Sequence, residues 1–124
     1  MGKIFLNGME FYAFHGCLPQ ERQDGNRFLV DLEMETGMDT AGQSDNIDDT
    51  VNYANVYEVV RQEMEKPSNL LEHVSTRILE RVLADFPQIQ RAEVTVSKLN
   101  PPVMGKMQSV SVSRQKVQKF VKFA

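Results

Sequence analysis

Lys98 ends a short alternating stretch and is the first candidate for chemistry in this sequence. Ala92, Val94 and Val96 alternate with polar residues, which is the period-two pattern of a half-buried strand. Lys98 has the same parity as these apolar residues, and Pro101 ends the strand because proline has no backbone N–H to donate. Such a lysine either extends past the sheet edge to water or lies partly desolvated in a cleft, where it can transfer protons. The pattern alone leaves both interpretations open.

Three further side chains could bind a ligand or transfer a proton. Glu72 lies three residues after Asn69. It fits either a capping box with Asn69 as the N-cap, or a carboxylate that accepts two N–H donors from a flat heterocycle. Tyr53 fits a core aromatic on a helix face whose hydroxyl reaches water. Glu21 stands in a polar segment, where the default interpretation is a solvated charge.

Metal and nucleophile chemistry find little support in the sequence. His15, Cys17 and His73 lack the spacing of zinc ligands. Neither a glycine-rich phosphate loop nor a nucleophile elbow is present. We therefore expect no metal and no cofactor. Instead, His15 should bond to backbone at a strand end, and His73 should bond to nearby polar groups.

The composition indicates one globular domain. The chain has 124 residues, of which 41% are hydrophobic and 25% charged, with a formal net charge of −3. No basic run suggests nucleic acid, and no segment is predicted to span a membrane or to act as a signal peptide. Cys17 is the only cysteine, so no intrachain disulfide is expected. These features favour a cytoplasmic protein.

The hydrophobic periods predict four strands and two helices. The strands are expected at about residues 3–14, 28–35, 91–99 and 109–113, and the helices at about 52–66 and 71–86. Gly8 is expected at a bulge in the first strand, and Asn52 as the N-cap of the first helix. Residues 15–25 and 37–50 are predicted as a polar loop and an acidic turn.

This order predicts an α+β fold with ββααββ topology. Two hairpins join into one four-stranded antiparallel sheet, and both helices cover one face. The opposite face must be polar or covered by something else. Residues 115–124 mix apolar residues with lysines. They could touch a membrane as a basic amphipathic segment, but we favour a continuation of the last strand or packing on a neighbouring subunit.

Several segments of the chain together resemble the dihydroneopterin aldolase family. They are Ile4-Phe5-Leu6-x-Gly8-Met9-x-Phe11-Tyr12, His15-Gly16, Thr50-Val51-Asn52-Tyr53, Asn69-Leu70-Leu71-Glu72 and Lys98-Leu99-Asn100-Pro101-Pro102. Their order and spacing match over residues 3–114, so we expect a family domain at 1–114 and a C-terminal tail at 115–124. The resemblance implies the tunnelling fold, in which sheets from several subunits close into a barrel and cover their exposed edges. It also implies a homo-octamer of two stacked tetrameric rings, with active sites shared between adjacent subunits.

The resemblance implies a retro-aldol reaction in folate biosynthesis. 7,8-dihydroneopterin is cleaved to 6-hydroxymethyl-7,8-dihydropterin and glycolaldehyde. Lys98 matches the general acid/base, Tyr53 matches a tyrosine of the neighbouring subunit that helps protonate the intermediate, and Glu21 matches a glutamate near the reacting end. The substrate's own C6=N5 imine takes up the electrons, so neither a lysine Schiff base nor a metal is required. Re-addition of glycolaldehyde would give side epimerase activity.

Three residues match the family's pterin-binding positions. Glu72 matches the glutamate that holds the 2-amino and N3 groups of the pterin, helped by the backbone around Leu71 and Val51. Two other functions stay open, a 2′-epimerase of dihydroneopterin or its triphosphate and a non-catalytic pterin-binding protein of the same fold. Residues 103–110 read Val-Met-Gly-Lys-Met-Gln-Ser-Val, where family members commonly read Ile-Pro-Gly-His-Tyr-Asp-Gly-Val.

Overall fold

A four-stranded antiparallel sheet in the order β1-β2-β3-β4 carries the fold. The computed structural model describes residues 1–119. The strands are β1 (Gly2–Ala13), β2 (Asn26–Thr36), β3 (Ile89–Leu99) and β4 (Ser109–Val117). The helices are α1 (Pro19–Asp24), α2 (Asp39–Ser44), α3 (Tyr53–Glu65) and α4 (Leu71–Asp85), with a 3₁₀ helix at Ile47–Asp49. The predicted α+β class is confirmed, as are the four strands and the two long helices in their predicted order.

Two segments predicted as loop and turn contain short helices instead. α1 lies in the predicted polar loop, and α2 and the 3₁₀ helix lie in the predicted acidic turn. None of the three buries a residue. Because the helical signal in a sequence is an apolar stripe, helices of one or two turns without a buried face leave no such signal.

The core lies between α3, α4 and one face of the sheet. β2 and β3 bury every second side chain on this face, and each helix buries a stripe. The fully buried members include Phe28, Val30, Leu32, Val94, Val96, Val56, Val60, Val74, Ile78 and Val82. A buried side chain of this size contributes roughly 1.5–3 kcal/mol, so the two helices are held mainly by these stripes. Tyr53 is 66% exposed, so its interpretation as a core aromatic is wrong.

Charged and hydroxyl side chains line the opposite face of the sheet. Arg91 of β3 pairs with Glu33 of β2 at 3.1 Å, and the hydroxyls of Ser97 and Ser111 are 2.6 Å apart across β3 and β4. Of the two alternatives for the face away from the helices, polar or covered, these side chains favour a largely polar face.

β1 contains the predicted bulge. Its register with β2 shifts between Leu6 and Met9, and Gly8 adopts a φ of 64°, which glycine tolerates best. The Gly8 N–H donates to Asp31 Oδ1 at 2.6 Å, so a side chain of β2 satisfies the backbone group that the bulge removes from the ladder. β1 is one of the two edge strands of the sheet.

The other edge strand, β4, runs further than the alternation predicts. It continues through Val117, which pairs with Arg91 of β3. Residues 115–117 of the predicted tail therefore prolong the last strand, while 120–124, on which the amphipathic interpretation partly depended, lie outside the described residues. Among the helices of residues 1–119, none has the length and apolar character that crossing a membrane requires.

Candidate active site

Lys98 lies on the helix-facing side of the sheet, as its parity predicts. It pairs with Phe28 of β2 and Val110 of β4 in the strand register. Its side chain is only 11% exposed, and Nζ lies 6.0 Å from the centroid of the Phe28 ring. The alternative in which Lys98 extends past the sheet edge to water is therefore wrong.

Glu21 is the partner of Lys98. The Lys98 Nζ donates to Glu21 Oε2 at 2.6 Å, and the Glu21 side chain is 13% exposed. α1 brings the carboxylate here, and Gly16 leaves room for it, since a Cβ at position 16 would lie 2.5 Å from Glu21 Oε1. The default interpretation of Glu21 as a solvated charge is wrong. Desolvation offsets much of the attraction within an ion pair that is largely removed from water, so stability alone gives a weak reason for this arrangement.

The first turn of α4 lies at the same end of the sheet. The side chain of Arg114 donates to Thr76 Oγ1, and that of Gln118 donates to the Leu83 carbonyl at 2.9 Å. The contacts thus advance along α4 as they advance along β4, so helix and strand start at the same end. β4 starts opposite the end of β3, where Lys98 lies.

Polar groups at the start of α4 are available to a ligand. The N-cap is Leu70, which provides no side-chain cap. Glu72 is exposed, and within residues 1–119 its carboxylate and the N–H groups of Leu71 and Glu72 have no hydrogen-bond partner. The capping-box interpretation with Asn69 as N-cap is wrong, because Asn69 Oδ1 instead accepts from Arg22 at 2.7 Å. Unpaired N–H groups at a helix start, next to a carboxylate, suit a ligand with both acceptors and donors.

Tyr53 and Val51 lie apart from this group. Tyr53 is the first residue of α3, follows the buried Val51, and lines a groove of about 540 Å³ along β1, with Phe5 and Met9 among its walls. β1 is an edge strand, and β2 separates it from β3, which carries Lys98. One chain therefore places Lys98, Glu21 and the start of α4 at one end of the sheet, where Arg22 of α1 bonds to Asn69, and it holds Tyr53 beside β1.

His15 is a buried member of the site that sequence reasoning placed only as a local structural residue. Its Nδ1 accepts from the Ser68 N–H at 3.0 Å, which confirms the expected bond to backbone. Its ring also packs edge-on against Phe28 at 5.1 Å. The predicted local partner of His73 is confirmed as well, because His73 Nδ1 lies 2.7 Å from Ser68 Oγ. The only sequence signal for His15 was its position before a glycine directly after a strand. That position does not predict its contacts with Ser68 and Phe28.

The buried imidazole predicts a pH dependence of stability. Burial, with the nearby charges of Arg77, Lys98 and Arg22, lowers the pKa of His15 from 6.5 to about 4. As the pH falls, His15 is protonated in the unfolded chain before it is protonated in the folded one. The contribution of the neutral imidazole to the free energy of unfolding is therefore fully present above pH 6.5 and is lost as the pH falls toward about 4. We expect His15 to account for about 2 to 3 kcal/mol of this loss. Urea unfolding at pH 7 and 4.5 should show a smaller loss for His15→Asn than for the parent, and equal losses would contradict this origin.

The arrangement suits proton transfer next to a bound planar ligand. A buried lysine–carboxylate pair can move a proton between its members and a ligand, and the start of α4 offers both acceptors and donors. No group of three His, Cys, Asp or Glu side chains lies close enough to hold a metal ion within residues 1–119.

Known proteins resemble the chain over nearly its whole length. Residues 4–115 match the family model described as FolB, dihydroneopterin aldolase. The dihydroneopterin aldolase of Staphylococcus epidermidis is 40% identical over 110 residues, covering 88% of this chain and 91% of that protein. That of Bacillus subtilis is 40% identical over 113 residues, covering 90% and 94%. The crystal structure of Escherichia coli dihydroneopterin aldolase in complex with neopterin superimposes with a TM-score of 0.87 at 23% identity, covering 94% of this chain and 99% of that one.

Proposed function

Because the chain belongs to the dihydroneopterin aldolase family, we propose that it cleaves 7,8-dihydroneopterin at a site built around Lys98. The products are 6-hydroxymethyl-7,8-dihydropterin and glycolaldehyde, so the enzyme is an aldehyde-lyase of folate biosynthesis. The observation that carries the proposal is the largely desolvated Lys98–Glu21 pair, with side chains 11% and 13% exposed and a 2.6 Å contact, at the same end of the sheet as the open start of α4. Binding alone would not require a buried lysine there.

The reaction moves one proton away from the substrate and returns one. Transfer of the shared proton from Lys98 to Glu21 leaves a neutral amine that can accept the proton of the 2′-hydroxyl. The C1′–C2′ bond then breaks, C2′ becomes the aldehyde carbon of glycolaldehyde, and the electron pair enters the C6=N5 imine of the ring. Protonation at C1′, with Tyr53 as the donor, gives the hydroxymethyl product. The substrate supplies its own electron sink, so we propose catalysis without a cofactor, metal ion or Schiff base.

The start of α4 binds the other end of the pterin. The Glu72 carboxylate accepts from the 2-amino and N3 groups, and the free N–H groups of the first turn, including that of Leu71, donate to acceptors of the ring. The neopterin bound to the Escherichia coli relative supports a pterin as the ligand class.

We place Tyr53 and Val51 of a neighbouring subunit at this site. The support is the position of Tyr53, since β2 lies between the edge strand beside Tyr53 and the strand that carries Lys98; Val51 precedes Tyr53 by two residues. A ring of subunits would bring the groove along β1 to the next subunit and cover the open sheet edges. We propose the homo-octamer of two stacked tetrameric rings that the family resemblance implies, and a cytoplasmic location in keeping with a folate-pathway enzyme.

Product analysis tests the proposed function. The purified protein is incubated with 7,8-dihydroneopterin, and the mixture is separated by chromatography. Glycolaldehyde and 6-hydroxymethyl-7,8-dihydropterin in equal yield are expected, with a smaller amount of the 2′-epimer formed when the intermediate re-adds glycolaldehyde. The 2′-epimer alone would instead identify an epimerase, and unchanged substrate that binds without turnover would identify a pterin-binding protein.

A further inference from the structure

We propose that His15 is a positioning residue that holds Glu21 against Lys98 by fastening the Ser68 segment to the end of β1. The inference rests on the proposed function for its catalytic consequence, but the contacts that carry it lie within one chain. His15 is 1% exposed and Ser68 is 3% exposed. Neither residue takes part in the proposed mechanism.

The first connection runs from His15 to Glu21. Ser68 N–H donates to His15 Nδ1 at 3.0 Å, and the next residue, Gly16, donates its N–H to the Ser68 carbonyl at 2.9 Å. These two bonds fix residues 15 and 16 to one peptide segment. The Glu21 carboxylate packs directly on Gly16, because a Cβ added there would lie 2.4 Å from Glu21 Cδ. A displacement of Gly16 would therefore displace the carboxylate.

The second connection runs from His15 to Lys98. The imidazole contacts the Phe28 ring edge-on, with centroids 5.1 Å apart at 78°. The same ring lies 6.0 Å from Lys98 Nζ, and Phe28 is the register partner of Lys98 on β2. His15 thus touches the supports of both members of the ion pair.

The hydrogen bonds of His15 identify the ring atom that holds the Ser68 segment. Nδ1 accepts from Ser68, so the ring proton resides on Nε2. Nε2 is buried near the Met64 backbone but makes no well-formed hydrogen bond within residues 1–119, which is unfavourable for a buried N–H. An apolar side chain would avoid this but would leave the Ser68 N–H unpaired. The useful property of the residue is therefore the acceptor at Nδ1.

Two substitutions test the proposal. In His15→Asn the side-chain oxygen can replace Nδ1 as the acceptor, whereas His15→Leu keeps the bulk and removes the acceptor. We expect His15→Leu to lower kcat by roughly 10- to 100-fold with KM for dihydroneopterin changed little, since a displaced catalytic group affects the chemical step. His15→Asn should retain kcat within about threefold. Hydrogen exchange should show lost protection at residues 18–25 and 66–70 in His15→Leu only.

Thr36→Val serves as the matched control, because it removes a buried hydroxyl bond to the Gln88 carbonyl at the far end of the sheet. Its kcat and the exchange of residues 18–25 should match the parent. Equal loss of kcat in both His15 variants, or full kcat in His15→Leu, would overturn the proposal. If His15→Leu does not fold, His15→Asn decides, because loss of its kcat would show that an acceptor is not sufficient. If the parent fails to cleave dihydroneopterin, the proposed function fails, while hydrogen exchange still decides whether His15 positions Glu21.

Discussion

Replacing Lys98 by methionine should lower the turnover of 7,8-dihydroneopterin by roughly 10²- to 10⁴-fold, the usual contribution of a positioned acid/base group. The substitution keeps an unbranched apolar side chain opposite Phe28, the register partner of Lys98, and removes the amine that contacts Glu21 at 2.6 Å. Pterin binding should persist, because the proposed anchor lies on α4. Steady-state kinetics give the loss of turnover, and calorimetric titration with neopterin gives the retained affinity.

Lys106→Ala is the matched control for this prediction. Lys106 is exposed in the loop between β3 and β4, where it lines a surface cavity with Asn100 and Gln108. Its loss removes the same charge close to the site without touching the ion pair. Turnover should stay at the parent level. Unchanged turnover in Lys98→Met would remove Lys98 from the mechanism.

Replacing Glu72 by alanine should weaken neopterin binding by roughly 10²-fold, because two charge-assisted hydrogen bonds are lost together. The Glu72 carboxylate has no intramolecular hydrogen-bond partner within residues 1–119, so its removal leaves no protein group unsatisfied. The thermal midpoint should change little, since an exposed carboxylate in the first turn contributes only about 0.3–1 kcal/mol through the helix dipole. Titration calorimetry and a thermal scan on the same sample measure both quantities.

Glu80→Ala controls for the loss of a carboxylate from the same helix. Glu80 is exposed and forms a surface contact with Lys116 at 3.8 Å, two turns beyond the proposed anchor. Neopterin affinity should equal that of the parent. If Glu72→Ala binds neopterin as tightly as Glu80→Ala, Glu72 is not the pterin anchor.

The sequence predicts the strands and the long helices that carry this site, but it does not predict the tertiary contact between Glu21 and Lys98. Strict alternation on β3 places Lys98 on the buried face, because a period of two leaves one choice of side. The helical stripe likewise locates α4, and hence Glu72 near its start. The contact between Glu21 and Lys98 joins residues 77 positions apart in sequence. The helix that carries Glu21, α1, has no buried residue. Its sequence therefore has no apolar periodicity from which the helix could be predicted.

Two local predictions failed because competing contacts were not visible in the sequence. Asn69 has the residue type of an N-cap, but Arg22 takes its side-chain oxygen, and α4 begins one residue later than a cap at Asn69 would place it. Tyr53 fits an apolar helical stripe, but its side chain is exposed and lines an open groove together with residues of β1. The separation of Tyr53 from Lys98 also depends on strand order, which hydrophobic patterns do not specify.

We propose that each chain contributes to two active sites, with Lys98 and Glu21 in one and Tyr53 in the site of a neighbouring subunit. Mixed oligomers of Lys98→Ala and Tyr53→Ala subunits test it most directly, with the release of glycolaldehyde as the measurement. Each variant alone should be nearly inactive. An equal mixture should recover about a quarter of the parent rate, because random pairing unites an intact Lys98 with an intact Tyr53 of the next subunit at that frequency.

A mixture of Lys98→Ala with Glu21→Ala should recover nothing, because these two residues contact one another within a single chain. Recovery in the Tyr53 mixture, but not in the Glu21 mixture, is the result expected for a site divided between neighbouring subunits. No recovery in the Tyr53 mixture, with assembly of mixed oligomers confirmed by differential tags, would contradict the claim.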